Sequence, residues 1–371
     1  MSARNRIFPV FIPHLGCPHA CVFCNQHEIT GAAAEEAMRR LNSLAESPPE
    51  RGACELAFYG GSFTAIPEEE QLRYLEAAKR AAEAGSVSSV RLSTRPDAVT
   101  PEILDRLCRY GVRTVELGAQ SMRDAVLEAS GRGHSAEDVR RASRMVREAG
   151  LGLVLQMMTG LPGDDDEGAE DTARELIALR PDAVRIYPTV IVRGTELERL
   201  WREGAYREHT VEDAVRVCAR ILPLFEEAGI PVIRLGLNPS EELSGGGALA
   251  GAYHPALGEL VRSRVLRNRA AQLITERHWE GRDLTILVPE KKLSQMLGQK
   301  HCNVVWLKER FSLKGLDVFP EPELSDIEIE EDPCSELLAG FWSRLRAGRG
   351  SGLDNGSRKD AEIGRNRSSK S

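Results

Sequence analysis

The sequence predicts an α/β fold: a partial parallel (β/α)6 barrel, followed by a small α/β domain and a disordered tail. Over the first half of the 371-residue chain, segments rich in β-branched and aromatic residues alternate with amphipathic segments. This alternation is typical of a parallel sheet covered by helices. At about 150 residues per domain, the length allows about two domains. No apolar run approaches the roughly 20 residues that a membrane-spanning helix needs.

Each predicted element has its own signal. The predicted strands are residues 7–13, 54–59, 88–94, 113–118, 152–158 and 183–188. Thr100 followed by Pro101 is typical of a helix start, with an N-cap and a proline in the first turn. Ser135 and Asp138 resemble a capping box, and Gly111 and Gly150 are helix stop signals.

The second half has a different composition. Residues 210–228 form another predicted helix, followed by a strand-like segment at 230–236, and the glycine-rich 244–251 is expected to be a flexible linker. Residues 257–320 carry twelve Lys or Arg against seven Asp or Glu, although the whole chain has a net charge of −7. The predicted domains are the barrel at 1–205, a barrel-completing extension with the linker at 206–256, a basic helix with a small α/β domain at 257–343, and a tail without aromatic residues at 344–371.

Cys17, Cys21 and Cys24 form a C-x3-C-x2-C pattern directly after the first predicted strand. In a βα barrel, the loops at the carboxyl ends of the strands carry the active site. A structural zinc site takes four protein ligands, so zinc would need a fourth from a nearby histidine or a distant cysteine. The other possibility is a cubane iron–sulfur cluster, in which three thiolates leave one iron open to a non-protein ligand.

A glycine-rich turn gives the second signal. Gly60, Gly61 and Ser62 follow the second predicted strand, 36 residues beyond Cys24. The two motifs in these positions resemble those of the radical S-adenosylmethionine (SAM) enzymes. In that superfamily, the amino and carboxylate groups of SAM occupy the open iron, and the glycine-rich turn binds the amino end of SAM. The resemblance implies a [4Fe-4S] cluster and SAM as cofactors, and cleavage of SAM to a 5′-deoxyadenosyl radical.

Five further motifs resemble the radical SAM half of the Elongator catalytic subunit, a group that acts on wobble uridine in tRNA. They are LSTRPDAVTPEILDRLCRYGVRTVELGAQS at 92–121, GRGHSAEDV at 131–139, LQMMTGLPGD at 155–164, VRIYPTVIVRGTELERLW at 184–201 and AYHPALGELV at 252–261. The cysteine spacing here is more compact than is usual in that family. The acetyltransferase domain that follows the barrel in that family is expected to be missing.

The resemblance also implies roles for single residues, although it assigns no catalytic one. Phe23 would lie against the SAM adenine, and Gly60, Gly61 and Ser62 would receive the methionine end. Three polar residues at strand ends are candidates for contacts with the SAM carboxylate, the ribose or the substrate: Arg95, Gln120 and Gln156. The alternative for each of the three is a hydrogen-bonded polar residue of the barrel.

Residues 284–321 resemble a KH domain, which clamps about four nucleotides through a G-x-x-G loop. The corresponding loop here is Gly298-Gln299-Lys300-His301, in which histidine replaces the second glycine. A basic surface around it would contact RNA phosphates. The candidate RNA-binding residues are Arg262, Arg264, Arg267, Arg269, Lys291, Lys292, Gly298 and Lys300. The alternative is a solvated basic face on a small structural domain.

These features predict a radical SAM enzyme that modifies an RNA base, in tRNA, with an electron donor such as flavodoxin or ferredoxin. One alternative is a radical SAM oxidoreductase that acts on a small molecule. Another is an RNA-binding protein with a structural cluster. The eight cysteines and the lack of a signal-peptide pattern favour a cytoplasmic location, where thiols stay reduced.

Overall fold

The computed structural model describes residues 6–12, 21–24, 31–46, 53–238 and 243–331. Cys17 and the predicted tail at 344–371 lie outside the described residues. The chain divides into two compact units, with the boundary between Leu266 and Arg267. None of the described helices is both long enough and apolar enough to cross a membrane.

The first unit is built on a curled, seven-stranded parallel sheet, which confirms the predicted partial barrel. The strands of this unit are β1 (Ile7–Ile12), β2 (Cys54–Gly60), β3 (Val87–Thr94), β4 (Val112–Gln120), β5 (Gly152–Thr159), β6 (Ala183–Pro188), β7 (Val190–Val192), β8 (Val232–Leu235) and β9 (Ala248–Gly251). The order in the large sheet is β1-β2-β3-β4-β5-β6-β8, so β1 and β8 are its edge strands. The strand-like segment of the predicted extension thus forms the seventh strand.

Helices connect the strands. They are α1 (Gly31–Glu46), α2 (Glu68–Glu83), α3 (Pro101–Arg109), α4 (Asp124–Ala129), α5 (Ala136–Glu148), α6 (Asp166–Ala178), α7 (Glu196–Arg202) and α8 (Val211–Glu227). The predicted caps are present: the Thr100 hydroxyl accepts a hydrogen bond from the Ile103 N–H, and Ser135 and Asp138 form a capping box at the start of α5. Both caps satisfy backbone N–H groups that have no partner within the helix.

The central strands are buried on both faces, because helices cover one face and the other lines the barrel interior. In β4, every residue from Val115 to Gln120 is buried. The parallel register aligns Ile12 with Gly60 and Gly118 with Gln156. As a result, the polar and glycine residues at the carboxyl ends of the strands lie at the same edge of the sheet.

The prediction of a flexible linker at 244–251 is wrong for the second half of that segment. Ala248–Gly251 forms β9, which pairs antiparallel with β7. Gly251 has φ +94, and a Cβ there would lie 2.9 Å from the Thr189 carbonyl oxygen. The small residues in this segment therefore permit close backbone packing, which a composition rich in glycine does not distinguish from flexibility.

The second unit follows within α9 (Leu257–Glu276), which spans the boundary between the units. Its remaining elements are β10 (Asp283–Val288), α10 (Leu293–Leu297), α11 (Cys302–Phe311), β11 (Gly315–Pro320) and β12 (Glu328–Glu331). Strand β10 is central, parallel to β11 and antiparallel to β12. The predicted order of strand, short helix, turn, helix and strand is confirmed.

Candidate active site

Cys21 and Cys24 lie on a tight turn that is anchored to two other parts of the first unit. The Cys24 N–H donates to the Cys21 carbonyl oxygen at 3.0 Å. Between them, the Val22 N–H donates to the Ser130 carbonyl at 3.1 Å, and the Val22 carbonyl accepts from the Leu197 N–H at 2.7 Å. The backbone therefore holds both cysteines in place from two directions.

One cavity at the carboxyl ends of the strands brings together all the cofactor and metal residues predicted from sequence that the structure describes. It is lined by Cys21, Phe23, Cys24, Gly60, Gly61, Ser62, Ser93, Thr94, Arg95, Gly118, Gln120, Arg132 and Gln156. These residues come from the cysteine turn, the ends of β2 to β5 and the loop after α4. Ser93, Thr94, Gly118 and Arg132 are members that sequence reasoning missed.

The glycine-rich turn requires glycine at its first position. Gly60 has φ +99, and a Cβ there would lie 2.7 Å from the Ile12 carbonyl oxygen. The Gly61 N–H faces the same Ile12 oxygen at 3.4 Å. The first two strands can therefore approach each other closely, and the turn lies on the cavity wall.

Several polar atoms of the cavity lining have no hydrogen-bond partner in the described part of the protein. Among the described residues, these are the buried Ser93 Oγ, Gln120 Oε1 and Arg132 Nε. Buried polar atoms are nearly always hydrogen-bonded, so unpaired ones around one cavity indicate a polar ligand. Gln120 also has φ +65, an uncommon conformation for a residue other than glycine, asparagine or aspartate.

Two other predicted polar residues are held by the protein itself. Arg95 is only 2% exposed; its Nε donates to Asp97 at 2.6 Å and its Nη2 to the Arg132 carbonyl at 2.6 Å. Gln156 Nε2 donates to Glu116 Oε2 at 3.1 Å. The alternative of a hydrogen-bonded barrel residue therefore describes the contacts of Arg95 and Gln156, while Gln120 keeps an unpaired acceptor.

A buried charge cluster lies in the barrel interior next to Gln156, and the sequence reasoning did not identify it. Glu116 is fully buried, and its carboxylate lies 3.0 Å from Arg91 Nη1 and 2.9 Å from Arg185 Nε. Arg91 also pairs with Glu55 at 2.8 Å. Burial and the Glu116 carboxylate raise the pKa of Tyr59 to about 12, so this phenol stays protonated at neutral pH.

The candidate RNA-binding arginines of α9 are engaged within the protein. In the first unit, Arg262 pairs with Glu226 at 3.0 Å and Arg264 with Glu212 at 2.7 Å.

In the second unit, Arg267 stacks on the Trp306 ring at 4.0 Å from its centroid, and Arg269 lies 3.6 Å from Asp326. The acidic and aromatic partners of these four arginines are distant in the sequence, so they were not foreseen. The pairs reduce the positive charge that α9 offers to a phosphate.

The other candidate RNA-binding residues lie directly before α10 (Lys291 and Lys292) and in the loop between α10 and α11 (Gly298 and Lys300). Lys291 and Lys300 are exposed, and Lys292 is half-buried. Gly298 has φ +72, and a Cβ there would lie 2.7 Å from Cys302 Sγ. The buried Asn303 donates from Nδ2 to the carbonyls of the last turn of α10, at 3.1 Å in both cases. The loop is thus fixed at its base while its lysine faces outward.

Comparison with known proteins decides the family. Residues 11–176 match the radical SAM superfamily, and residues 181–267 match the radical SAM C-terminal domain. The chain belongs to the radical SAM superfamily. An uncharacterized protein of Methanocaldococcus jannaschii is 30% identical over 220 residues, which cover 55% of this chain and 67% of that protein.

Other relatives of this radical SAM enzyme have informative names. The tRNA uridine(34) acetyltransferase of M. jannaschii is 33% identical over 129 residues, or 34% of this chain and 24% of the relative. Human Elongator complex protein 3 is 30% identical over 190 residues, which cover 46% of this chain and 35% of that protein. The chain thus spans about a quarter to a third of the length of these two relatives. The solved structure of Methanocaldococcus infernus Elp3 shows the same fold, with a TM-score of 0.53 at 21% identity over 74% of this chain and 63% of that one.

Radical SAM enzymes use a [4Fe-4S] cluster and SAM. The residues of the cavity fit both groups. Cys21 and Cys24 offer thiolates, which are the cluster ligands of iron–sulfur proteins. Gly60 permits close backbone approach at the wall, and Gln120 and Arg132 have buried polar atoms without a partner among the described residues, to which a zwitterionic ligand can hydrogen-bond.

Proposed function

We propose that this radical SAM enzyme modifies a base in tRNA. The observation that carries the proposal is the match to relatives named tRNA uridine(34) acetyltransferase and Elongator complex protein 3. The basic loop of the second unit supports it, because a glycine-started loop between two helices is where KH domains contact a nucleic-acid backbone.

In this proposal, Cys21, Cys24 and the neighbouring Cys17 hold the cluster. Gly60, Gly61 and Ser62 receive the methionine end of SAM, Phe23 lies against the adenine, and Gln120 accepts a hydrogen bond through its unpaired Oε1. When bound, the two cofactors together supply a 5′-deoxyadenosyl radical. Gly118, Thr94 and Arg95 are buried and form part of the cavity wall.

The proposed RNA surface is centred on the loop Gly298–His301. Lys291, Lys292 and Lys300 would contact phosphates, because the first and last are exposed and none of the three has an ion pair among the described residues. The four arginines of α9 contribute less, since each is already paired or stacked. The proposed location is the cytoplasm, and the proposed electron donor is a flavodoxin or ferredoxin.

A gel-shift experiment tests the RNA proposal. Protein with a reconstituted cluster should bind tRNA at low salt, and Lys300→Ala should weaken binding and lower the salt slope by about one charge. Lys79→Ala is the matched control, since Lys79 is an exposed lysine on α2 of the first unit. If the unsubstituted protein has no tRNA affinity at low salt, the proposal fails.

Nucleoside mass spectrometry identifies the product. Digested tRNA from cells with and without the gene should differ in one modified nucleoside. If the tRNA is identical in both and the purified enzyme consumes SAM only with RNase-treated metabolite extract, the small-molecule alternative is correct. If dithionite and SAM give no 5′-deoxyadenosine, the structural-cluster alternative is correct.

A further inference from the structure

Arg132 is placed directly against one of the two cysteines of the cavity. Its Nη1 donates to Cys21 Sγ at 3.2 Å, and its Nη2 donates to the Gly118 carbonyl at 2.8 Å. The two residues are 111 positions apart in sequence. The guanidinium therefore bridges the cysteine turn and the end of β4.

Neighbouring contacts hold Arg132 in this position. Arg95 donates to the Arg132 carbonyl at 2.6 Å, and the Ser130 carbonyl accepts from the backbone of the cysteine turn. His134 Nε2 lies 3.2 Å from the Ala119 carbonyl. Burial and the Arg132 charge lower the pKa of His134 to about 4, so this imidazole is neutral and acts as the donor at neutral pH.

In the described part of the chain, Arg132 has no acidic partner. Arg132 is 8% exposed, and within the described ranges no carboxylate lies within 4.0 Å of its guanidinium. The nearby Asp97 is engaged by Arg95 at 2.6 Å. A buried cation without a carboxylate partner is costly unless an anion is bound beside it, and the Cys21 sulfur is the atom that Nη1 contacts.

We propose that Arg132 sets the reduction potential of the cluster by donating a hydrogen bond to the Cys21 sulfur. Reduction adds one electron from an external donor, so the cluster becomes one charge more negative. The nearby positive charge and the N–H···S hydrogen bond stabilise the reduced state more than the oxidised state, which raises the potential. Hydrogen bonds to the sulfurs and local charge are known to tune such clusters.

This inference rests on the proposed role of Cys21 as a cluster ligand and is independent of the RNA substrate. Measuring iron in Cys21→Ala tests the ligand role separately. Loss of the cluster in that variant supports the ligand role. A full cluster there would refute both the ligand role and the inference, whereas an unchanged potential in an Arg132 variant refutes the inference alone.

The test is a redox titration of the reconstituted holoprotein without SAM. Electron paramagnetic resonance and visible absorbance measure the fraction of reduced cluster at each applied potential. Arg132→Gln should lower the ratio of reduced to oxidised cluster about tenfold at a fixed applied potential, equal to about 59 mV for one electron. Arg132→Lys keeps the charge and should give a smaller shift in the same direction. Arg140→Gln is the control, because Arg140 lies on α5 and pairs with Glu137 and Glu175.

Iron content keeps the result interpretable. If Arg132→Gln keeps a full cluster, a reduction potential equal to that of the unsubstituted protein overturns the inference. A variant in which SAM affinity falls while the potential stays the same overturns it as well. If Arg132→Gln does not retain iron, Arg132→Lys decides: a potential lowered beyond that of Arg140→Gln supports the inference, and an equal potential overturns it.

Discussion

Replacing Glu116 by glutamine tests whether the buried charges of the barrel interior balance one another. Two carboxylates and two guanidiniums share this cluster, since Glu116 pairs with Arg91 and Arg185, and Arg91 also pairs with Glu55. The substitution removes one negative charge, so the three charged side chains that remain (Glu55, Arg91 and Arg185) carry a net charge of +1. The amide also cannot accept from as many donors as a carboxylate.

The expected cost follows from burial. Glu116 is fully buried, and the side chains of Arg91 and Arg185 are 14% and 10% exposed. Removing one partner of a buried ion pair costs about 3–5 kcal/mol, because the other charge stays in a poorly solvated site. At about 2–4 °C per kcal/mol, the value for domains of about 150–250 residues, Glu116→Gln should lower the Tm of the first unit by roughly 10 °C.

This shift in Tm is measured by circular dichroism while the protein is heated under anaerobic conditions at a single scan rate. Glu137→Gln is the matched control: its carboxylate is 64% exposed and pairs with Arg140, so its Tm should change by about 1–2 °C or less. The double variant Glu116→Gln/Arg185→Gln should be more stable than the sum of the two single effects predicts. A Glu116→Gln Tm within 2 °C of the unsubstituted protein, on the same order as the control, would refute the reasoning.

Three further outcomes are expected. Gly60→Ala should weaken SAM binding at least tenfold in equilibrium dialysis, while Gly85→Ala, with φ +77 but no atom within 4 Å, should not; equal losses would contradict this. Burial raises the pKa of Asp164 to about 6, so the folded state binds a proton that the unfolded state has lost, and stability falls as pH rises from about 4 through 6. Asp164→Asn should therefore raise the Tm at pH 8 and not below pH 4; a gain at both would contradict it. Gly298→Ala should weaken tRNA binding in gel shifts and leave SAM binding unchanged, because only glycine adopts φ +72 with ψ 170 easily; normal tRNA binding would contradict it.

The strands could be predicted because their signal is local. Continuous burial selects β-branched and aromatic residues, so the predicted 113–118 and 152–158 differ from β4 and β5 by at most two residues at either end. The cavity could be predicted as well, because each motif ends a strand and parallel strands end at one edge. Strand order gave Arg95, Gln120 and Gln156, whereas Phe23 and the roles of the cysteines and the glycine-rich turn came from the resemblance to radical SAM enzymes.

Arg132 and Glu116 were missed for the opposite reason. Arg132 lies in a loop, and its contact with Cys21 joins residues 111 positions apart. Glu116 sits inside a strand of apolar residues, where a single acid gives no sign that Arg91 and Arg185 will lie on either side of it. The register of the strands in the sheet determines which side chains become neighbours, and a single sequence does not reveal that register.

The basic helix shows that a count of charged residues along the sequence does not reveal which of them are paired. The excess of lysine and arginine after residue 257 predicted a phosphate-binding face. In the structure, Arg262 and Arg264 pair with acids on α8. The local charge of a segment describes its surface only when its neighbours in space are known, and tertiary packing supplies those neighbours.

The open order of the large sheet has a consequence for the reactant. Strands β1 and β8 are edges, so the described strands form an arc and not a ring. A closed ring admits only what passes through its ends, and a long polymer would have to be threaded. For the proposed tRNA reactant, an arc of strands by itself requires no threading of a free terminus.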